Sequence, residues 1–298
     1  SPQLVFRSNP REATGWAQNS TDLYHDLGLN LIYRWSERMR VDASESFMLS
    51  DMPADMDTSR TFHEFVTYWV NRVGVAGSYE ILPKRSTLTV RAGHMIKRYR
   101  EDEYADSGDE RDIGVGATAR YIMKSGWNLL GDLSYGDVEL GQSDAALSRD
   151  AKIVFAGVGA QKIFGIWSAR MRVGIDRSDF NISGTSGNTR LSVDGTSTKP
   201  AADLEVKYSP SDMTSVGFKA AYHTVRSDIN PYATQQRTSV QLEARRAFTQ
   251  SLGLGLVGLY GSGKYDAQGS AGNGGSDSVT AIGATLYYTL NRNVSFDA

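Results

Sequence analysis

The sequence predicts an all-β chain, an up-and-down antiparallel transmembrane β-barrel. Three observations predict it. Apolar and polar residues alternate with period two over long stretches, the connections alternate between tight and long, and tyrosines recur just ahead of the tight turns. From Asp112 to Tyr121, Ile113, Val115, Ala117, Ala119 and Tyr121 share one face. Asp112, Gly114, Gly116, Thr118 and Arg120 share the other. From Trp167 to Asp176, Trp167, Ala169, Met171, Val173 and Ile175 alternate with Ser168, Arg170, Arg172, Gly174 and Asp176. Leu23 to Trp35 repeats the pattern, with His25 and Ile32 as exceptions. Side chains alternate across a strand, so each stretch has one greasy and one polar face.

A soluble sandwich alternates too, but its strands run about five or six residues. The stretches here reach roughly 10 to 14 residues, the length a tilted strand needs to cross a bilayer. In chain order, strands are expected at 2–8, 22–35, 39–50, 62–82, 87–100, 112–123, 127–138, 151–163, 166–180, 201–209, 213–227, 237–247, 252–265, 277–290 and 294–298. Tight connections fall at Ser36-Glu37-Arg38, Pro83-Lys84-Arg85-Ser86, Lys124-Ser125-Gly126, Phe164-Gly165, Pro210-Ser211-Asp212, Thr249-Gln250-Ser251 and Asn291-Arg292-Asn293. Long polar ones fall around 9–21, 51–61, 101–111, 139–150, 181–200, 228–236 and 266–276. Short turns on one side and long loops on the other are the rhythm of an outer-membrane barrel, and a Greek-key sandwich has no reason to keep it. The whole of 1–298 reads as one barrel domain.

Composition narrows the function classes. The net charge of -2 leaves no basic field for nucleic acid. Cysteine is absent, which removes disulfides, thiolate metal sites and cysteine nucleophiles. Mean hydropathy is negative, and no apolar run approaches the roughly 18 residues of a spanning helix. A barrel escapes that test because lipid-facing residues occupy only alternate positions. The chain opens Ser1-Pro2-Gln3 without a basic stretch followed by an apolar one.

Tyr33, Trp35, Tyr79, Tyr121, Trp127, Tyr208 and Tyr288 lie beside tight turns and are expected to form a membrane-interface girdle. There the ring meets lipid and the polar tip meets water. Where neighbouring marks are present, they recur at about 42 to 46 residues, one hairpin plus one loop.

The recurring tyrosine–turn–strand phrase, as in Tyr79-Glu80-Ile81-Leu82-Pro83-Lys84-Arg85-Ser86-Thr87-Leu88-Thr89-Val90 and Tyr288-Thr289-Leu290-Asn291-Arg292-Asn293-Val294-Ser295-Phe296, resembles the β-barrel porin type 2 family of Gram-negative outer membranes. Members of that family commonly lie in exopolysaccharide gene clusters. The resemblance implies an outer-membrane location, passage or export of polysaccharide or other hydrophilic solutes, and no catalytic motif. Contact with outer-membrane lipid and lipopolysaccharide is expected, with a polysaccharide or another envelope protein as further candidate partners. No cofactor and no metal are expected.

Parity extends the reading. Barrels of this type begin and end in the periplasm with an even strand number. The last segment, 294–298, opens an upward strand, so residues are expected to be lacking at the C-terminus, and the complete barrel is expected to have about 16 strands. A barrel that wide leaves an aqueous lumen. The alternation points Asp26, Arg34, Asp42, Arg91, Arg120, Asp132, Arg170, Arg172, Asp176, Asp203, Glu205, Lys207, Glu243 and Arg245 into it. Both signs occur in similar number, so no single-sign filter is evident. Arg170 and Arg172 are expected to face Asp203 and Glu205 across a hairpin, as salt bridges or as a substrate ladder.

Other constellations carry less. Gly258-Leu259-Tyr260-Gly261-Ser262-Gly263-Lys264-Tyr265 resembles a phosphate loop but lacks the hydroxyl residue and the helix, and reads as a glycine-rich strand. The acidic cluster of Glu101, Asp102, Glu103, Asp106, Asp109, Glu110 and Asp112 reads as a solvated loop, with divalent bridging to lipopolysaccharide as the alternative. His25, His63, His94 and His223 show no ligand spacing. Besides the channel, two function classes stand: an anchoring barrel that binds a partner through its loops or periplasmic face, and a hydrolase embedded in the wall, with His94 near His63.

Overall fold

The computed structural model describes residues 3–12, 23–50, 68–100, 109–140, 147–186, 189–227, 234–249, 251–265, 275–291 and 294–297. Among them there is no helix. Fifteen strands follow in order: β1 (Gln3–Glu12), β2 (Leu23–Arg34), β3 (Met39–Ser50), β4 (Tyr68–Leu82), β5 (Ser86–Tyr99), β6 (Glu110–Ile122), β7 (Trp127–Leu140), β8 (Leu147–Phe164), β9 (Trp167–Ser186), β10 (Thr189–Ser211), β11 (Thr214–Arg226), β12 (Thr234–Ala247), β13 (Leu252–Tyr265), β14 (Ser276–Asn291) and β15 (Val294–Asp297). They form one sheet in sequential order, each antiparallel to its neighbours. Fifteen described strands stand against the expectation of about 16 for a complete barrel.

The tight turns carry the strained backbone. Gly126 (φ 81°) and Gly165 (φ 60°) take left-handed conformations that glycine adopts freely. Lys84 takes φ 59° without that freedom, after Pro83, in a turn closed by the Arg85 amide donating to the Leu82 carbonyl at 2.9 Å.

Register fixes two faces. One row runs Tyr33, Val41, Gly77, Val90, Ala117, Leu133, Ala156, Ile175, Pro200, each directly opposite the next. Leu133, Ile175, Val158 and Val173 on this face are about half-exposed. A water-soluble domain would bury them. On β9 the outward apolar positions run from Trp167 to Ile175, roughly 26 Å along the strand at about 3.3 Å per residue. On a strand tilted by about 35–45°, that length covers roughly 20 Å of a lipid-facing band about 25 Å tall. Lys152, Asp137 and Asp179 lie directly opposite one another on the same face, just past the band towards the long loops.

The long connection expected at 181–200 is not a loop. β9 and β10 stay paired from Tyr208↔Trp167 out to Thr189↔Ser186. Beyond the apolar band neither face needs to be greasy, so the period-two signal fades while the ladder continues. Cross-strand polar pairs hold it: the Asn181 amide donates to Asp194 at 2.6 Å and the Thr196 hydroxyl to Asp179 at 2.7 Å. The glycine-rich Gly258–Lys264 lies within β13 and is strand.

β11 follows β10 only as far as the pair Ala202↔Tyr222. Past that pair it keeps β12 as its ladder partner and leans over the inner side of β9 and β8. The Thr224 amide donates to Asp176 of β9 at 2.7 Å, and Arg149 of β8 donates to the Ser227 carbonyl at 3.1 Å. The sheet therefore splits. The β9–β10 ribbon rises on the outside, and the end of β11 crosses inside it. Pro200 sits where β10 has a single ladder partner, so its missing N–H is tolerated.

Candidate functional site

The polar face is built by the alternate residues of the same strands. Register aligns Arg34, Arg40, Ser78, Thr89, Thr118, Asp132 and Gly157 in one row. A second row, two residues along each strand, runs Arg120, Leu130, Gly159, Arg172, Asp203, Ala221. A third runs Asp42, Ala76, Arg91, Gly116, Ser134, Phe155, Asp176. Arg170 stands opposite Glu205, and Lys207, Glu243 and Arg245 follow on the same side. Asp26 has the parity of Arg34 on β2 and is placed by its backbone register, opposite Met48.

These residues are not evenly spread. Arg172 is the hub of a part-buried cluster. Its Nε donates to both oxygens of Asp203, at 2.8 and 3.0 Å, and its terminal nitrogen lies 3.6 Å from Asp132. The Thr118 hydroxyl donates to the same Asp132 at 2.6 Å. His223, on the stretch of β11 that has left β10, stands between two carboxylates. Its Nδ1 is 3.3 Å from Asp176 and its Nε2 3.5 Å from Asp203. Phe155 closes the cluster, edge-on to His223 at 5.5 Å and under the Arg172 guanidinium at 5.9 Å.

Glycines make room for this arrangement. A Cβ on Gly157 would sit 2.5 Å from Phe155 Cζ, and one on Gly159 would sit 2.7 Å from Arg172 Cγ. One on Gly174 would sit 2.8 Å from Phe155 Cε2. The ring and the arginine stem thus lie flat against bare backbone.

Away from the hub the pairs are looser. Arg170 meets Glu205 at 2.8 Å with both side chains more than a third exposed. Lys219 lies 3.5 Å from Glu243, and Gln241 donates to the same carboxylate. Glu205, Lys207, Lys219, Glu243 and Arg245 border a hollow of about 260 Å³. Arg91 lies over Gly116 and donates to Thr118 at 3.4 Å, and Arg120 donates to Thr87 at 3.4 Å.

Towards the long-loop end the inner face closes. Val70, Lys97, Glu110, Arg149, Gln235 and Arg237 point inward there and are buried. Asp109 is 1% exposed, accepting the Tyr99 amide at 2.9 Å and Arg98 at 3.1 Å. Asp109 and Glu110 therefore differ from the solvated loop expected for the acidic cluster; Glu101 to Asp106 lie outside the described residues. Among the described residues no group of acidic and histidine side chains is arranged to hold a metal.

At the tight-turn end Tyr33, Trp35, Tyr79, Tyr121 and Trp127 are exposed on the apolar face. Trp167 packs on Tyr208 at 4.5 Å and Lys162 lies over Trp127 at 5.0 Å. Tyr288 is placed by its backbone register, opposite Leu252. Sequence reasoning found no ligand spacing for His223, placed Thr118 on the polar face without a role, and did not single out Phe155 or Arg237. Parity puts His223 and Arg237 on the polar face, but their neighbours across the split carry no sequence signal. His63, the expected companion of His94, lies outside the described residues.

No family model matches the chain, and no curated protein sequence does. Solved structures do. The FrpB iron transporter from Neisseria meningitidis (F5-1 variant) aligns with a TM-score of 0.55 at 10% identity, over 97% of this chain and 55% of that one. The ferric citrate transporter FecA in its unliganded form aligns with a TM-score of 0.51 at 12% identity, over 96% of this chain and 50% of that one. The chain thus spans about half the length of these transporters. Identity this low speaks for fold alone, and the fold is the Gram-negative outer-membrane β-barrel.

Proposed function

We propose that this chain forms the wall of an outer-membrane channel for hydrophilic solutes, with polysaccharide as the solute the porin type 2 resemblance favours. The observation that carries the reading is the separation of faces. Large apolar side chains stand exposed on one side, and paired charges of both signs line the other. Lipid and lipopolysaccharide would wet the first and water the second. Mixed signs suit a path that passes polar solutes without a strong preference for charge. The solved structures it resembles in fold include an iron transporter and a ferric citrate transporter.

The test is conductance of the purified protein in planar bilayers. A steady open-channel current that rises with salt is expected. Folded protein that inserts and stays electrically silent would sink the channel reading.

The buried inner residues near the long loops favour a second reading, an occluded barrel that anchors a partner. Silence combined with specific capture of an envelope component would select it. A wall-embedded hydrolase has less support, because both ring nitrogens of His223 already face carboxylates.

A further inference from the structure

Arg237 stands on the inner face near the long-loop end of β12, with its side chain 3% exposed. Among the described residues only one of its three nitrogens finds an acceptor. Nη1 donates to Gln235 Oε1 at 3.4 Å and to Asp277 Oδ2 at 3.5 Å. Nε and Nη2 are buried and have no acceptor among the described residues. A guanidinium does not shed its proton, so burial leaves it a full charge with two donor nitrogens unfilled. Such a group is costly unless something completes it.

The surroundings fix how it points. Gly263 lies opposite Arg237 on β13 and has no side chain. The space a Cβ would take there is filled by Gln235 Oε1 and Asp277 Oδ1. The Gly263 amide anchors Asp277 Oδ1 at 3.0 Å. Asp277, one of the two acceptors of Nη1, is thereby fixed from behind, and Gln235 Oε1 fits in the space the missing side chain leaves. What remains open is the side-on fork of Nε and Nη2, whose parallel N–H groups match the two oxygens of one carboxylate or phosphate. The nearest acidic cluster does not supply that partner. Asp176 and Asp203 face His223, the register partner of Arg237 on the other side, and Asp203 also holds Arg172.

We propose that the Arg237 fork is an oxyanion site that takes a carboxylate or phosphate group. Its ligand is the anionic group of a solute at the mouth of the barrel. That identity rests on the channel reading, whereas the site itself does not.

The experiment is calorimetric titration of the detergent-solubilised protein with glucuronate, with inorganic phosphate and with glucose. Glucuronate and phosphate should bind saturably, and glucose should not. Arg237→Gln should weaken both anions by about tenfold or more, the loss of a charged bidentate pair. Arg237→Lys keeps a point charge but not the fork, so it should weaken glucuronate more than phosphate. Arg170→Gln, on the same face but paired with Glu205, should change neither. No saturable anion binding, equal binding of glucose, or unchanged affinity in both Arg237 variants would overturn the site. If Arg237→Gln fails to fold, the Lys variant and the comparison with glucose still decide. A protein that binds the anions at Arg237 yet passes no current would remove the channel reading and leave the site. One that conducts without binding would do the reverse.

Discussion

Gly174 and Gly136 both lie on the polar face, and the same substitution should act oppositely at the two. At Gly136 nothing lies within 4 Å of an added Cβ. Alanine there removes the entropy that glycine loses in a strand, and should stabilise by roughly 0.5–1 kcal/mol. At Gly174 the same carbon would press on the Ala156 carbonyl oxygen and lie 2.7 Å from the Gly157 Cα. Both are backbone atoms of the neighbouring strand, held in the ladder, and neither can rotate aside. Overpacking of that kind costs about 1–3 kcal/mol. The two variants should therefore differ by about 1.5–4 kcal/mol. Guanidinium unfolding in lipid vesicles, followed by tryptophan fluorescence, measures the difference. Equal midpoints for Gly174→Ala and Gly136→Ala would refute the claim that Gly174 lies hard against the β8 backbone beneath the Phe155 ring.

Arg172→Met strips the partner from Asp203 and Asp132, which are largely buried, and should destabilise by roughly 2–4 kcal/mol. Arg170→Met breaks an exposed pair and should cost under about 1 kcal/mol in the same unfolding assay. Leu133→Arg places a charge in lipid and should cost roughly 2–4 kcal/mol, whereas Ser134→Arg next to it on the polar face should cost far less. Lys84→Gly relieves a left-handed conformation and should raise stability by about 1 kcal/mol, read from the unfolding midpoint. Under a salt gradient the open channel should show a reversal potential near zero, because Arg170 and Lys219 are matched by Glu205 and Glu243.

Much of the fold was legible because the bilayer enforces a binary code. Trp167 to Ile175 alternate without a break, since each outward position must meet lipid and each inward one water. The same code gives the polar-face parity of Arg170, Arg172, Asp203 and Glu205. A simple hairpin then suffices to set their pairing. The code stops at the edge of the membrane. Between Asn181 and Lys199 only Ile182, Leu191 and Val193 are large and apolar, and the serines, threonines and asparagines around them read as loop although they form a ladder. Asp109 reads as loop for the same reason, and only the fold brings it to Arg98 and the Tyr99 amide.

What sequence could not show is the split between β10 and β11, and the chemistry of the inner face depends on it. In an undivided sheet, Asp176 on β9 and Thr224 on β11 would stay apart, with β10 between them. Because β11 parts from β10 after Tyr222, Thr224 and His223 come down onto Asp176, and Arg149 reaches Ser227. The inward lean narrows the space that the even spacing of strands would leave open. It also puts His223 and Arg237 on a part of the wall that stands proud of its neighbours. The incompletely paired Arg237 therefore stands opposite the strand that departs from the regular sheet, while Arg170 and Glu205 on the regular strands hold each other along the wall.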